Sequence, residues 1–331
     1  MDTFIDSSWY HLRYPDPRNA KRVFSPAKVR EWLPVDLYVG GREHATGHLI
    51  YFRFLTMVLH DEGLLDFEEP ATRLFNHGMV QDEEGAKMSK SKGNLVAPAE
   101  MLARYGVDAA RVAMCFFAPS GEAIVWKEQG VAGALRFLRM AHSFVRKAKD
   151  SCKAAGDLPS PSPAETDPGV REARRLCHSA LQNMSRAVET DLSFNTVVSD
   201  LMKALNALEA LPLPPPDPAA FADAVRIFVK VLAPMAPHLG EEMHEILGGT
   251  GSVFRGPWPE FDPSALKVDE VEYAVQVNGK VKGRFRTAAG GAESAVVEQA
   301  RTVAEVRPHL EEKLILKTIF VKDRLVNFVV R

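Results

Sequence analysis

The stretch Pro34-Val35-Asp36-Leu37-Tyr38-Val39-Gly40-Gly41-Arg42-Glu43-His44-Ala45-Thr46-Gly47-His48-Leu49-Ile50-Tyr51-Phe52-Arg53-Phe54 decides the fold class. Residues 34–39 form a short apolar run with β-branched members, which predicts a buried parallel strand. Gly40-Gly41 is expected to break it, and a helix is expected from Glu43 to about residue 60. Strand, glycine turn and helix N-terminus in that order let backbone approach a nucleotide closely. Downstream, residues 78–80 read as another short strand. The polar Gln81-Asp82-Glu83-Glu84-Gly85 then leads into Ala86-Lys87-Met88-Ser89-Lys90-Ser91-Lys92-Gly93-Asn94. That composition predicts an exposed loop. Such a loop is often no more than a solvated turn. Its ammonium groups also suit the shifting charge of a polyphosphate during phosphoryl chemistry.

The residue order separates those two readings. Lys87-Met88-Ser89-Lys90-Ser91 matches the KMSKS signature of class I aminoacyl-tRNA synthetases at every position. Tyr38-Val39-Gly40-Gly41-Arg42-Glu43-His44-Ala45, with His48 four residues beyond His44 and Tyr51-Phe52-Arg53-Phe54 following, resembles the bacterial leucyl-tRNA synthetase family. The isoleucyl and valyl relatives carry a different segment there. Phe4-Ile5-Asp6-Ser7-Ser8-Trp9-Tyr10 resembles that family's segment where the chain re-enters the catalytic domain after the editing insertion. The resemblance runs from about residue 1 to the end and implies the family's C-terminal half.

Composition bounds the rest. The 331 residues suffice for two or three domains. Hydrophobic content of 46% and charged content of 25% are those of ordinary globular domains. No apolar run approaches the ~20 residues that span a bilayer, so no membrane partner is expected and the cytoplasm is the expected compartment. Cys115, Cys152 and Cys177 are scattered without a C-x-x-C pair, so neither protein-bound zinc nor a disulfide framework is expected. A net charge of −2 means that any RNA contact must come from local patches.

The expected fold class is α/β, the C-terminal half of a class I Rossmann-like catalytic domain, followed by an α-helical bundle and a small α+β C-terminal domain. The boundaries are placed at 1–126, 127–263 and 268–331. Helices are expected over residues 98–105, closed by Gly106, and over 107–117. Apolar residues at helical spacing predict further helices over about 130–149, 170–189, 194–211, 220–232 and 238–247. The proline-bearing residues 154–169 read as a loop. By resemblance the bundle is of the anticodon-binding type, and residues 254–263, with Trp258 between prolines, pack back on it. In the last domain Asn278-Gly279 predicts a hairpin between strands at 273–277 and 281–286. Residues 292–310 read as mostly helical, and 314–321 with 325–330 as a second hairpin. Lys280, Lys282, Arg284 and Arg286 alternate, so all four are expected on one strand face, with Val281 and Phe285 on the other. From Glu270 onward there are eleven basic and eight acidic residues. A basic strand face is as often simply the solvated one. The family's C-terminal domain contacts tRNA, and that implies phosphate binding here.

The resemblance also implies the chemistry. Leucine is activated by attack of its carboxylate on the α-phosphate of ATP, with Mg2+ accompanying the nucleotide, and is then transferred to tRNA(Leu). Neither step needs a covalent protein nucleophile; both need positioning and stabilised phosphate charge. Lys90 is assigned to the phosphates in the transition state and Lys87 to its support. Gly40, Gly41, Glu43, His44, Met79, Val80, Lys87, Met88, Ser89, Lys90 and Ser91 are assigned to ATP and adenylate. Phe4, Ser7, Tyr10, Tyr38, His44 and His48 are assigned to leucine, although Phe4 and Tyr38 read equally as core residues from position alone. Met88 is expected to anchor its loop on an apolar surface. His44 and His48, expected at i and i+4 on one helix face, lack the H-E-x-x-H order and a third ligand, so no metal site is assigned. The family's HIGH-type histidine motif is absent from the chain. The expected partners therefore include an N-terminal half carrying that motif and the editing domain, and the chain alone is expected to be inactive. The alternative is a non-catalytic tRNA-binding or accessory protein derived from a synthetase.

Overall fold

The computed structural model describes residues 3–88, 93, 94, 96–153, 167–267, 270–311 and 313–331. Ser89, Lys90 and Ser91 lie outside that set. The chain divides into two compact units, Met1–Asp262 and Pro263–Arg331.

The first unit opens with the helices α1 (Thr3–Asp6), α2 (Tyr10–Arg13) and α3 (Pro26–Trp32). Strand β1 (Tyr38–Gly41) leads through a 3₁₀ turn (Arg42–Thr46) into α4 (His48–Asp61). Next come β2 (Leu74–His77), β3 (Val80–Gln81), α5 (Pro98–Tyr105), α6 (Val107–Phe117) and β4 (Ile124–Val125). Pairing is parallel, β1 with β2 and β3 with β4. This is the α/β arrangement expected from residues 34–54, with local corrections. The expected strand at 34–39 makes only an isolated bridge from Val35 to Ala71, and the ladder begins at Tyr38. Gly40 and Gly41 do not break the strand; they pair with Asn76 and His77. Strand β2 was not foreseen, because Leu74-Phe75-Asn76-His77 has neither alternation nor an apolar run long enough to signal a strand.

The helices α7 (Glu128–Lys153), α8 (Pro168–Glu189), α9 (Asn195–Glu209), α10 (Pro218–Leu232) and α11 (Pro237–Ile246) form the bundle. Two of them start on the same device. Asp167 and Asp217 each precede a proline at the first helical position, and their carboxylates accept the N–H of Val170 and Ala220. Such a cap satisfies an orphan donor and is worth about 1 kcal/mol. Phe137, Phe144, Leu181, Leu201, Phe221 and Phe228 fill the bundle core, and Val80, Met88 and Met101 pack against the same cluster. The α/β part and the bundle thus share one core. Asp108 on α6 accepts the Leu239 N–H at 2.8 Å, and Arg111 donates to the Pro234 carbonyl at 2.8 Å.

A buried charge cluster pins the segment after the bundle. Arg174, 3% exposed, donates to Asp223 at 2.7 Å and to Asp262 at 2.8 Å. His178 Nε2 meets Asp223 at 3.1 Å, while its Nδ1 accepts the Asp262 N–H at 3.0 Å. Trp258 donates its indole N–H to Ser185 Oγ at 2.8 Å, so residues 254–262 do pack back on the bundle.

The second unit contains β5 (Glu270–Val277), β6 (Lys280–Ala288), α12 (Glu293–Thr302), α13 (Arg307–Leu310), β7 (Ile315–Val321) and β8 (Leu325–Val330), with sheet order β6-β5-β8-β7. Asn278 and Gly279 take φ of +49° and +77°, the two-residue turn their sequence signals. The expectation of four cations on one face fails because β6 carries a bulge: Val275 pairs with Gly283 and Gln276 with Val281, leaving Lys282 as the extra residue. Arg284 and Arg286 pair with Ala274 and Glu272 and are exposed, and the exposed Val281 shares their face through Gln276. Lys280 pairs with Val277, which belongs to the buried row of Tyr273 and Val275, so it sits on the opposite face at the hairpin end.

Candidate functional site

Strand β1 links two half-sites. At its start Tyr38 enters an aromatic cluster built on α4. Phe52, 1% exposed, is the hub. Tyr38 stacks on it at 4.7 Å between ring centroids, His48 lies tilted at 5.2 Å, and His11 meets it edge-on at 4.5 Å. Phe4 stacks on Tyr51 at 6.0 Å.

Four of the residues assigned to leucine form one hydrogen-bonded chain across this cluster. Tyr10 Oη lies 2.9 Å from Tyr38 Oη, Tyr38 Oη lies 2.7 Å from His48 Nε2, and His48 Nδ1 lies 3.2 Å from Ser7 Oγ. The direction of the chain follows from its end. Ser7 Oγ donates its single proton to the Phe4 carbonyl at 3.1 Å. It must therefore accept from His48, which places the imidazole proton on Nδ1 and makes Nε2 an acceptor. Tyr38 then donates to His48, and Tyr10 donates to Tyr38. Burial, with the His44 charge in second place, holds the His48 pKa below its ordinary value. Burial pushes the Tyr38 phenol upward. Both shifts keep the chain neutral.

His44 and His48 do not share a helix face. His44 lies in the 3₁₀ turn, Gly47 follows at φ −135° and ψ −99°, and α4 begins at His48. The two rings still meet edge-on at 6.0 Å, with His44 exposed and His48 buried.

The C-terminal end of β1 opens on the second half-site, a cleft of about 460 Å³. Glu43, Met79, Val80, Lys87 and Met88, all assigned to the nucleotide, line it together. The Glu43 carboxyl is held below its usual range by its own backbone N–H first and by Lys87, His44 and His77 in smaller measure. Among the described residues no other atom comes within 4 Å of the position a Cβ would take at Gly40, whereas Gly78 is crowded: a Cβ there would collide with the Glu122 carbonyl oxygen. Gly78 donates its N–H to Ser120 at 2.9 Å, so the backbone after β2 can lie against residues 120–123 only without a side chain.

Sequence reasoning did not single out Pro98, Met101, Met114 and Trp126 on the apolar wall of this cleft, nor His77 on its rim. These residues come from α5, α6 and the segment after β4, and no local pattern links them. It also passed over Phe52 and His11, although Phe52 follows His48 by four residues. Both ring nitrogens of His11 lack a partner among the described residues, and burial, with His48 in second place, pushes its pKa down to about 4.

No group of three His, Cys, Asp or Glu side chains among the described residues is arranged to hold a metal ion. No helix among them is long and apolar enough to cross a membrane.

Comparisons with known proteins bear on the family and the fold. Residues 1–127 match the family model of class I tRNA synthetases (I, L, M and V), and residues 171–297 match the anticodon-binding domain of tRNA ligases. A leucine–tRNA ligase of Nostoc sp. is 40% identical over the whole chain, which spans 41% of that protein. One of Thermotoga petrophila is also 40% identical, again over the whole chain and 40% of the relative. The chain thus spans about two fifths of the length of the curated relatives it matches, and the matched part is C-terminal. Among solved structures, the ternary complex LeuRS–tRNA–LeuAMS from Agrobacterium radiobacter superposes with a TM-score of 0.80 at 32% identity, covering 100% of this chain and 42% of that one. Methionyl-tRNA synthetase of Mycobacterium tuberculosis, in complex with methionyl-adenylate, shares the fold at a TM-score of 0.54, with 18% identity over 74% of this chain.

Proposed function

We propose, on the premise that this chain is a homologue of the C-terminal part of leucine–tRNA ligases, that it supplies the KMSKS half of an ATP-dependent leucine-activating site together with the tRNA-binding elements that follow. The observation that carries the reading is the joining of two half-sites by one strand: β1 carries Tyr38 into the Tyr10–Tyr38–His48–Ser7 chain and ends where Glu43 faces Lys87.

The hydroxyls of Tyr10, Tyr38 and Ser7 and the His48 imidazole are engaged with one another, so together with the rings around Phe52 they offer a substrate side chain a largely apolar wall. That suits the branched alkyl group of leucine. The apolar wall of Met79, Val80, Met101, Met114 and Trp126 suits an adenine, and Lys87 on its rim suits phosphate. In the reaction the leucine carboxylate oxygen bonds to the α-phosphorus, the bond to the pyrophosphate oxygen breaks, and pyrophosphate leaves. Lys87 and Lys90 stabilise the negative charge that moves onto the leaving group. Mg2+ travels with the ATP phosphates, the usual mode for an ion that keeps several of its waters. The 2′-hydroxyl oxygen of the tRNA terminal adenosine then bonds to the leucyl carbonyl carbon, the bond from that carbon to the adenylate phosphate oxygen breaks, and AMP and the hydroxyl proton leave.

The three-part division at 1–126, 127–263 and 268–331 is kept as part of this reading, with the bundle and the basic strand β6 serving tRNA. The remainder of the synthetase, carrying the HIGH motif, completes the ATP site and is required for activity. Hydrophobic pockets separate side chains differing by one methylene by only about 1–3 kcal/mol, so proofreading also falls to that remainder.

The test is leucine-dependent ATP–pyrophosphate exchange by the chain alone and after assembly with the N-terminal part, with Lys90→Ala as control. Exchange in the assembly alone, lost on Lys90→Ala, is the expected result. Exchange by the isolated chain overturns the requirement for the other part. An assembled but inert complex that still binds tRNA supports the accessory-protein alternative.

A further inference from the structure

Asp82 and Asn94 stand at the two ends of the lysine segment and touch. The near end is a tight turn: the Asp82 N–H donates to Ala86 O at 2.9 Å and the Gly85 N–H to Asp82 O at 3.0 Å. Lys87 then forms an isolated antiparallel bridge to Gln81 at the end of β3. The Asp82 carboxylate uses both oxygens. Oδ1 accepts the Ala86 N–H at 2.7 Å, and Oδ2 accepts the Asn94 side-chain amide at 2.7 Å. The same Asn94 nitrogen reaches the Lys87 carbonyl at 3.3 Å. Lys87 backbone is therefore held on one side by the bridge to Gln81 and at its carbonyl by Asn94, while Met88 packs on the bundle core.

We propose that Asp82 and Asn94 are positioning residues for Lys87, a side-chain clasp that presents its ammonium group to the cleft beside Glu43. This rests on the reading that Lys87 serves the phosphates of ATP. The clasp acts through Lys87 and does not touch the nucleotide. Asp82 and Asn94 line the neighbouring cleft, with Glu83, Glu84, Glu100 and Glu128, where the carboxylates would repel a polyphosphate. An exposed lysine on an untethered loop would lose the preorganisation that electrostatic catalysis needs. A carboxylate accepting from two donors supplies that tether with charge-assisted bonds.

The test uses the assembled synthetase containing this chain, assayed by leucine-dependent ATP–pyrophosphate exchange. Asp82→Ala and Asn94→Ala are expected to lower kcat by about ten- to a hundredfold, the scale of a misplacement near 1 Å, with KM for leucine unchanged. Asp82→Ala added to Lys87→Ala is expected to cause no further loss, because both remove the same contribution. A purely structural role would instead give multiplying losses. Asn94→Ala guards against a folding failure of Asp82→Ala, and thermal midpoints matching the parent's exclude global destabilisation as the cause. Full activity of Asp82→Ala and Asn94→Ala beside a crippled Lys87→Ala overturns the clasp alone, as does multiplication of the losses. Full activity of Lys87→Ala overturns both the clasp and the functional reading beneath it.

Discussion

Replacing Tyr38 by Phe removes one oxygen and leaves the ring stacked on Phe52 at 4.7 Å. That oxygen makes two hydrogen bonds, accepting from Tyr10 at 2.9 Å and donating to His48 Nε2 at 2.7 Å. Each bond contributes about 1 kcal/mol net. The 9%-exposed His48 would then hold an acceptor without a partner, which costs about 1–3 kcal/mol in place of the simple bond value. Tyr10 is only half-buried and its hydroxyl can turn to water. The loss from Tyr38→Phe is therefore about 2–3 kcal/mol. Tyr10→Phe leaves the Tyr38 proton on His48 and should cost about 1 kcal/mol or less. Urea unfolding followed by tryptophan fluorescence reads the right unit, because Trp9, Trp32, Trp126 and Trp258 all lie within Met1–Asp262. Nitrogen-15 spectra of the imidazole provide the second readout, with the proton expected on His48 Nδ1. Equal costs for the two substitutions, or a proton on Nε2 in the parent, would refute the assigned direction of the chain.

Other outcomes follow from the same structure. The folded His11 has a pKa near 4 against about 6.5 unfolded, so protonation favours the unfolded state. Its contribution is present in full above about pH 6.5 and is lost as pH falls toward 4, up to about 3 kcal/mol; His11→Phe should flatten that part of the stability–pH curve relative to the parent. Arg174→Met leaves Asp223 and Asp262 without their guanidinium and should cost about 3–5 kcal/mol in urea unfolding. Gly279→Ala puts a side chain on a residue at φ +77° and should cost the second unit about 1 kcal/mol, read by its circular dichroism melt after excision at Pro263. Arg284→Gln with Arg286→Gln should weaken tRNA binding for all sequences alike and reduce the log–log salt slope by about one for each phosphate no longer neutralised; an unchanged slope in filter binding would remove β6 from the RNA interface.

Local chemistry was legible in the chain. Asn278-Gly279 has little alternative to a tight hairpin turn. Asp167-Pro168 and Asp217-Pro218 carry the signal of a helix start, although the sequence reading placed those starts two residues late. Gly106 closes α5 where it was expected. Less legible was anything that needs partners distant in sequence. The 3₁₀ turn at Arg42–Thr46 separates His44 from α4, a break that an i, i+4 count does not register. The bulge at Lys282 depends on how β6 meets β5 and reverses the facing that alternation predicts for Lys280 and Val281.

The sequence by itself determined the α/β and bundle order and the turn chemistry, and it supplied the side chains from which the proposed site is built. Those follow from short-range sterics and from hydrophobic periodicity, which act within a few residues. The tertiary structure decided which of these side chains meet. Tyr10, Tyr38, His48 and Ser7 became one proton-ordered chain only when α1, α2, β1 and α4 packed around Phe52. Asp82 and Asn94 became a clasp only when the two ends of the lysine segment came together. Arg174 found Asp262 across 88 residues of chain. Hydrogen bonds of this kind are set by relative positions to within a few tenths of an ångström, and only the packed core fixes positions to that tolerance.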